Sequence, residues 1–412
     1  MGLFFLRYPM VAGRRILGKP ESGPLSNPFP IRHASVTNKP YVSAQAWSRG
    51  KTTEGCQVVN PPRSVLSLTL IFCVFHLPNP VLGQGLEIAG PSSRLTIGAR
   101  VHSLFAHSSS DEGPASEWSV RRARVKLDLE LTDLVDGRIQ HDFLYGLQDA
   151  FIRLNFDPRF RLSMGQFKRG FDLFELLSTS YISVVERAGD IPGLSTCPGP
   201  GGICSYSRFS EALQYSARDV GIRAEGEAGR FSYLATLTNG AGLNAREKNS
   251  SKSFAGRAAL ALSDDLSLGG GLSVHDYPKP GEDEGDGYAT ALAADLEFGH
   301  YHQAGPHLQV GILAGDNWEA GEDVAFLTGQ AVYMHFIPTG SQGAKIVGVE
   351  PVARVSWGDP NRTERLDEGT LFTPGLMVYL QRHIRIGTSL DIWHPREGET
   401  ELSFKIQTYL WF

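Results

Sequence analysis

The C-terminal segment alternates. Leu402, Phe404, Ile406, Leu410 and Phe412 share one parity, while Glu401, Ser403, Lys405 and Gln407 share the other. Side chains along a strand point to opposite faces in turn, so this segment is a ribbon with one apolar and one polar face. Tyr409, Trp411 and Phe412 crowd rings at its end, which reads as an interfacial aromatic girdle. An edge strand of a soluble sandwich is the alternative. A ribbon that stays greasy up to its terminal carboxylate fits better as the closing strand of a barrel in lipid, paired with the first strand so that no edge is left open.

Composition agrees with strands and turns. The 412 residues include 46 glycines and 10% aromatics, with only 20% charged residues. A net charge of −5 argues against a general nucleic-acid binder, which would carry a basic domain. No apolar run reaches the roughly 18 residues that a transmembrane helix needs.

Residues 1–63 lack sustained periodicity and read as an upstream extension, not a domain. After Pro61-Pro62-Arg63 comes an apolar stretch, Ser64 to Leu77, and then Pro78-Asn79-Pro80-Val81-Leu82-Gly83. Basic residue, short apolar core and small residues at the cut make 64–83 a signal peptide, with cleavage after Gly83 and a translation start expected close to residue 58. The mature chain is then 84–412. Cys56 and Cys73 would leave with the leader, and Cys197 and Cys204 remain around Pro198-Gly199-Pro200-Gly201-Gly202. In an oxidising compartment this pair is expected to form a local disulfide.

Sixteen strand segments are expected between 94–104 and 401–412, most near the ten residues with which a tilted strand crosses a bilayer. Short connections (157–159, 227–229, 263–265, 381–382) alternate with long ones (105–117, 169–217, 239–252, 276–286, 314–322, 358–369, 395–400). The exception is Gly146-Leu147, where a long loop is due and absent. Tight turns on the periplasmic side and longer loops outside produce this rhythm. The fold class is therefore all-β: a transmembrane antiparallel up-and-down β-barrel of about 16 strands, with both termini on the periplasmic side.

Parity assigns the faces. Val125, Leu127, Leu129 and Leu131 oppose Arg122, Arg124, Lys126, Asp128 and Glu130; Ile384, Ile386, Leu390 and Ile392 oppose Arg385, Ser389 and Asp391. Charge is costly in hydrocarbon, so the charged parity faces a wet lumen. Arg100, Arg153 and Arg223 join Arg122, Arg124 and Lys126 at inward positions in the first half of the chain. Asp128, Glu130, Asp142, Asp149 and Glu225 are available to face them.

Several segments resemble the phosphate-selective porin O/P family. They are Trp118-Ser-Val-Arg-Arg-Ala-Arg-Val-Lys-Leu-Asp-Leu, Leu147-Gln-Asp-Ala-Phe-Ile-Arg-Leu, Arg161-Leu-Ser-Met-Gly-Gln-Phe-Lys168, the run from Phe171 to Arg187, and Arg218-Asp-Val-Gly-Ile. The likeness is dense over 94–240 and looser from there to Phe412. Where the family pattern places Pro-Phe after Gln-Phe-Lys, this chain has Arg169-Gly170-Phe171. The resemblance implies a sixteen-stranded homotrimeric porin of the outer membrane, in contact with lipid and lipopolysaccharide. An inward-folded loop would narrow its lumen, and a basic path would carry phosphate or related anions.

The long connection 169–217 is the candidate constriction loop. It begins just after Lys168 with Arg169 and holds Arg187 and the two cysteines. Pore-lining, anion-binding candidates are thus Arg100, Arg122, Arg124, Lys126, Arg153, Lys168, Arg169, Arg187 and Arg223. A row of guanidiniums can pass an oxyanion between bidentate sites as it sheds water. If the facing carboxylates cancel that charge, the pore is a weakly selective general one. A plugged or enzymatic barrel is the remaining alternative. No nucleophile elbow, phosphate-binding glycine loop or metalloprotease helix occurs, and His102, His107 and His141 lack metal-ligand spacing, so no cofactor and no metal are expected. The acidic run Glu282 to Asp286 reads as a solvated loop that could also take a divalent cation.

Overall fold

The computed structural model describes residues 86–90, 93–110, 115–182, 184–247, 249–279, 286–339, 344–381 and 384–412. The extension, the signal peptide and the acidic run up to Gly285 lie outside these residues.

The first strands are β1 (Leu86–Ala89), β2 (Arg94–Ser108), β3 (Ser116–Glu130), β4 (Val135–Asp142), β5 (Gly146–Asp157) and β6 (Phe160–Lys168). Two short helices, α1 (Leu173–Leu176) and α2 (Tyr206–Ala212), interrupt the long connection. The middle strands follow as β7 (Arg218–Ala228), β8 (Phe231–Thr238), β9 (Ser253–Ala261), β10 (Leu266–Pro278), β11 (Asp286–Phe298) and β12 (Gly305–Asp316). The last are β13 (Ala325–Pro338), β14 (Gly348–Asp359), β15 (Gly369–Gln381), β16 (Ile384–Pro395) and β17 (Glu401–Trp411).

Strands β2 to β17 pair antiparallel in chain order and close through β17 and β2 into a sixteen-stranded barrel. The closure uses the last residue: Phe412 and Ala99 exchange both backbone hydrogen bonds at 3.1 Å. Beyond it, β1 pairs with Arg94 to Ile97, so the edge of β2 stays covered down to the N-terminal turn. β1 was not expected from the sequence. Four residues, Leu-Glu-Ile-Ala, are too short for alternation to register.

Alternation holds around the barrel. Leu402, Phe404, Ile406 and Leu410 are exposed outward, while Ser403, Lys405, Gln407 and Tyr409 are buried inside. The girdle expected at the C-terminus is corrected by the same rule. Tyr409 and Trp411 sit on the inward parity, where the guanidinium of Arg385 lies over both rings, and Phe412 is the ring left exposed. No long loop interrupts here, as expected, but the connection lies earlier than Gly146-Leu147: residues 143–145 join β4 to β5, and Gly146, the first residue of β5, takes φ +80°.

The lumen is not wet throughout, contrary to the simple two-face expectation. The connection 169–217 folds inward and packs Phe171, Phe174, Tyr206, Phe209, Leu213 and Tyr215 against the inner faces of β9 to β15. Burying each such ring contributes about 1.5–3 kcal/mol, so packing fixes the loop as firmly as a core element. Glycines open the wall for it. A Cβ at Gly271 would stand 2.2 Å from the carbonyl oxygen of Phe171, and one at Gly358 would stand 2.4 Å from that of Cys204. Cys197 and Cys204 are joined, with Cα atoms 5.0 Å apart, within this packed loop.

Candidate functional site

With the loop on the β9 to β15 side, the open space is left along β2 to β7. It is a cavity of about 890 Å³, running from Glu130 and Asp136 beside the turn end to Arg121 and Tyr145 beside the loop end. Ten arginines and one lysine line it against seven carboxylates, leaving four positive charges in excess.

Arg100 reaches the loop and donates to the hydroxyls of Thr179 and, at 3.2 Å, Ser178. No ion pair to Arg100 is found among the described residues. Arg122 forks onto both oxygens of Glu186, at 2.8 and 3.2 Å, and Arg121 adds its Nε at 3.0 Å. Two consecutive residues can both point inward because the β2–β3 register shifts between His102 and Ser103, leaving Arg121 as the extra residue of a bulge. Arg124 donates to Asp142 at 2.5 Å. Arg153 bridges Asp136 and Glu225 at 2.8 and 3.0 Å. Arg223 lies over the rings of Phe151 and Phe167, 4.8 and 4.9 Å from their centroids.

Two candidates fall elsewhere. Lys126 pairs with Asp128 at 2.7 Å and does not line this cavity. Arg169 is 1% exposed and lines no open space. Its guanidinium donates to the carbonyls of Gln214, Phe254 and Val274, tying the root of the loop to β9 and β10. Sequence position beside a pore loop could not distinguish this from a lining role. Lys168 and Arg187 both turn to Glu175, whose Oε2 lies 3.6 and 2.7 Å away, and both remain at the cavity surface.

Buried guanidiniums also hold the far side of the loop. Arg354, fully buried with Asp391 at 2.9 Å, donates to the backbone carbonyls of Glu186 (3.1 Å) and Arg187. Arg385 donates likewise to Ile182 at 2.5 Å. Held this way, Glu186 adopts φ +63°, a left-handed conformation that costs a non-glycine residue on the order of 1–3 kcal/mol. Burial alone would raise its carboxyl. Arg122 and Arg121 outweigh that and hold it well below the usual carboxylate range.

The sequence profile of the phosphate-selective porin O and P family matches residues 95–318, more than half of the chain. The chain belongs to that family. Among solved structures, this porin is similar to an anion-selective porin from Comamonas acidovorans, at 12% identity and TM-score 0.56, over 78% of this chain and 100% of that one. The outer membrane channel DcaP of Acinetobacter baumannii gives 11% identity and TM-score 0.52, over 80% and 100%. OmpF of Salmonella typhi, in complex with daunomycin, gives 9% and 0.51, over 79% and 100%. Identities this low speak to the barrel fold alone. No curated protein matched. Family and fold together make the chain an outer-membrane porin, a channel by architecture.

Four cationic groups of this porin's cavity escaped the sequence reading: Arg121, Arg138, Arg208 and Arg218. Arg138 shares the inward parity of Asp136 and Gln140 and could have been found; it pairs with Asp128 at 2.6 Å. Arg121 depends on the bulge. Arg218 shares the parity of the exposed Val220 and Ile222, yet reaches Asp149 at 2.8 Å from the first position of β7. Arg208 belongs to α2 in the loop, 4.0 Å from Asp190.

Proposed function

We propose that this porin carries small solutes across the outer membrane by passive diffusion and prefers anions such as phosphate, the cavity along β2 to β7 being the filter. One observation carries the reading. Arg100 stands directly opposite Arg124 across the β2–β3 ladder, and Lys168 opposite Arg218 across β6–β7. Like charges at opposed positions destabilise a sheet, and the cost falls when an anion sits between them. In a narrow passage with low-dielectric walls each such charge acts more strongly than in bulk water. A guanidinium fork can replace water around an oxyanion, and the next one along the wall can take it over.

The mature chain is proposed to start at Gln84, after removal of 64–83, and to assemble as the homotrimer that the family resemblance implies. Lipid and lipopolysaccharide would surround the exposed apolar parity. Planar-bilayer recording of the refolded chain from Gln84 under a potassium chloride gradient tests the reading. Discrete current steps reversing on the chloride side, reduced by added phosphate, are expected. Reversal near zero would favour the weakly selective pore, which the carboxylate partners of Arg124, Arg153 and Arg218 support. A folded barrel without steps would discard the channel role for a plugged or enzymatic one.

A further inference from the structure

The cavity carboxylates differ in how they are held. Asp128 and Asp136 sit on strands next to those of Arg138 and Arg153, and Asp149 lies two strands from Arg218, so each pair belongs to one stretch of wall. Glu186 does not. Its backbone is clamped on the β14 side of the lumen by Arg354, and its side chain spans to β3 on the other side. There it accepts two N–H bonds from Arg122 and forms an ion pair with Arg121, while only 5% exposed. The backbone accepts a left-handed conformation at this residue to deliver the carboxylate. The recipient is a fork of the kind that binds a carboxylate or phosphate bidentately.

We propose that Glu186 is a built-in counter-ion: it occupies an oxyanion site formed by Arg121 and Arg122 and thereby limits how strongly the pore prefers anions. The inference rests on the chain being a channel, not on the sign of its selectivity. A solute oxyanion must displace or bypass a tethered carboxylate, so the fork is closed to weak binders. Neutralising the carboxylate while keeping its shape would free the fork and add one positive charge to the cavity.

The test is Glu186→Gln beside wild type in the same bilayer under a potassium chloride gradient. The reversal potential is expected to move toward chloride. Inorganic phosphate should then reduce the chloride current at a concentration lower by about tenfold, the size of one charge-assisted hydrogen bond. Glu186→Asp, which retains the charge, should return most of both shifts. If Glu186 only tethers the loop, Glu186→Gln gives a larger, noisier conductance with no movement toward chloride, and the proposal is overturned. An unchanged reversal potential overturns it as well. Wild-type reversal on the potassium side would sink the anion reading above, and the difference between the variants would still decide this one.

Discussion

Along β3 and β7 the inward arginines face an open cavity and pair with carboxylates of the same wall or of the loop. Along β14 and β16, Arg354 and Arg385 have no solvent exposure and donate to carbonyls of a loop packed over them. Both sets lie on the charged parity of an amphipathic strand. What separates them is where the loop lies: covering the second wall, it turns half of a polar lumen into an aromatic core, and inward charges there become anchors. Alternation therefore specifies a face but not the medium that the face meets.

The largest expected effect tests that division directly. Asp391 is fully buried between Arg354 and Lys405, so Asp391→Ala strands two cations without solvent. The loss of stability is expected at about 3–5 kcal/mol, the range for breaking a buried ion pair. Asp149→Ala leaves Arg218 beside the open cavity, where water can replace the carboxylate, and about 1 kcal/mol is expected. Urea unfolding of the refolded barrels in detergent compares the two. Equal losses would mean that the two walls are equally wet.

A second, smaller effect probes the fit of loop to wall. Valine at Gly358 would meet the carbonyl of Cys204, whereas alanine at Gly270 finds its nearest atom 3.5 Å away. Gly358→Val is expected to cost about 1–3 kcal/mol by overpacking. It should also make the loop newly cleavable by trypsin at Arg187 or Arg208. Gly270→Ala should change neither. A resistant loop in Gly358→Val would show that the close approach is not what holds it.

How much of this was legible follows from which physics each feature obeys. Lipid outside imposes a strict period of two, so all sixteen barrel strands could be read, together with the absence of a long loop near Gly146, although the turn itself falls at 143–145 and not at Gly146-Leu147. Departures came where something local overrode the period. A bulge put Arg121 beside Arg122 in the lumen. Arg218 at a strand start swung inward against its parity. Arg169, taken for a lining residue, is consumed by backbone carbonyls of the loop and of β9 and β10, because a pore loop's root needs donors as much as a pore needs charge. The family resemblance pointed to an inward loop. Which wall it would cover depends on glycines whose role appears only when Phe171 and Cys204 lie against them.

The smallest effect expected is also the one closest to function. Arg100 has hydroxyl partners and no ion pair among the described residues, so its charge is the least cancelled in the cavity. Arg100→Gln removes about a quarter of the excess of four positive charges, and the reversal potential should move modestly toward potassium. Ser178 and Thr179 line the open cavity, where water can take the place of the lost guanidinium bonds, so stability should change little. Arg385→Gln should do the reverse. Its guanidinium lies over the rings of Tyr379 and Tyr409 and does not line the cavity, and the bond to Ile182 is what it loses. A lower melting temperature with an unmoved reversal potential is expected for it. If instead Arg385→Gln shifts selectivity as far as Arg100→Gln, the field of the whole lumen sets ion preference, and the division into a filtering wall and an anchoring wall fails.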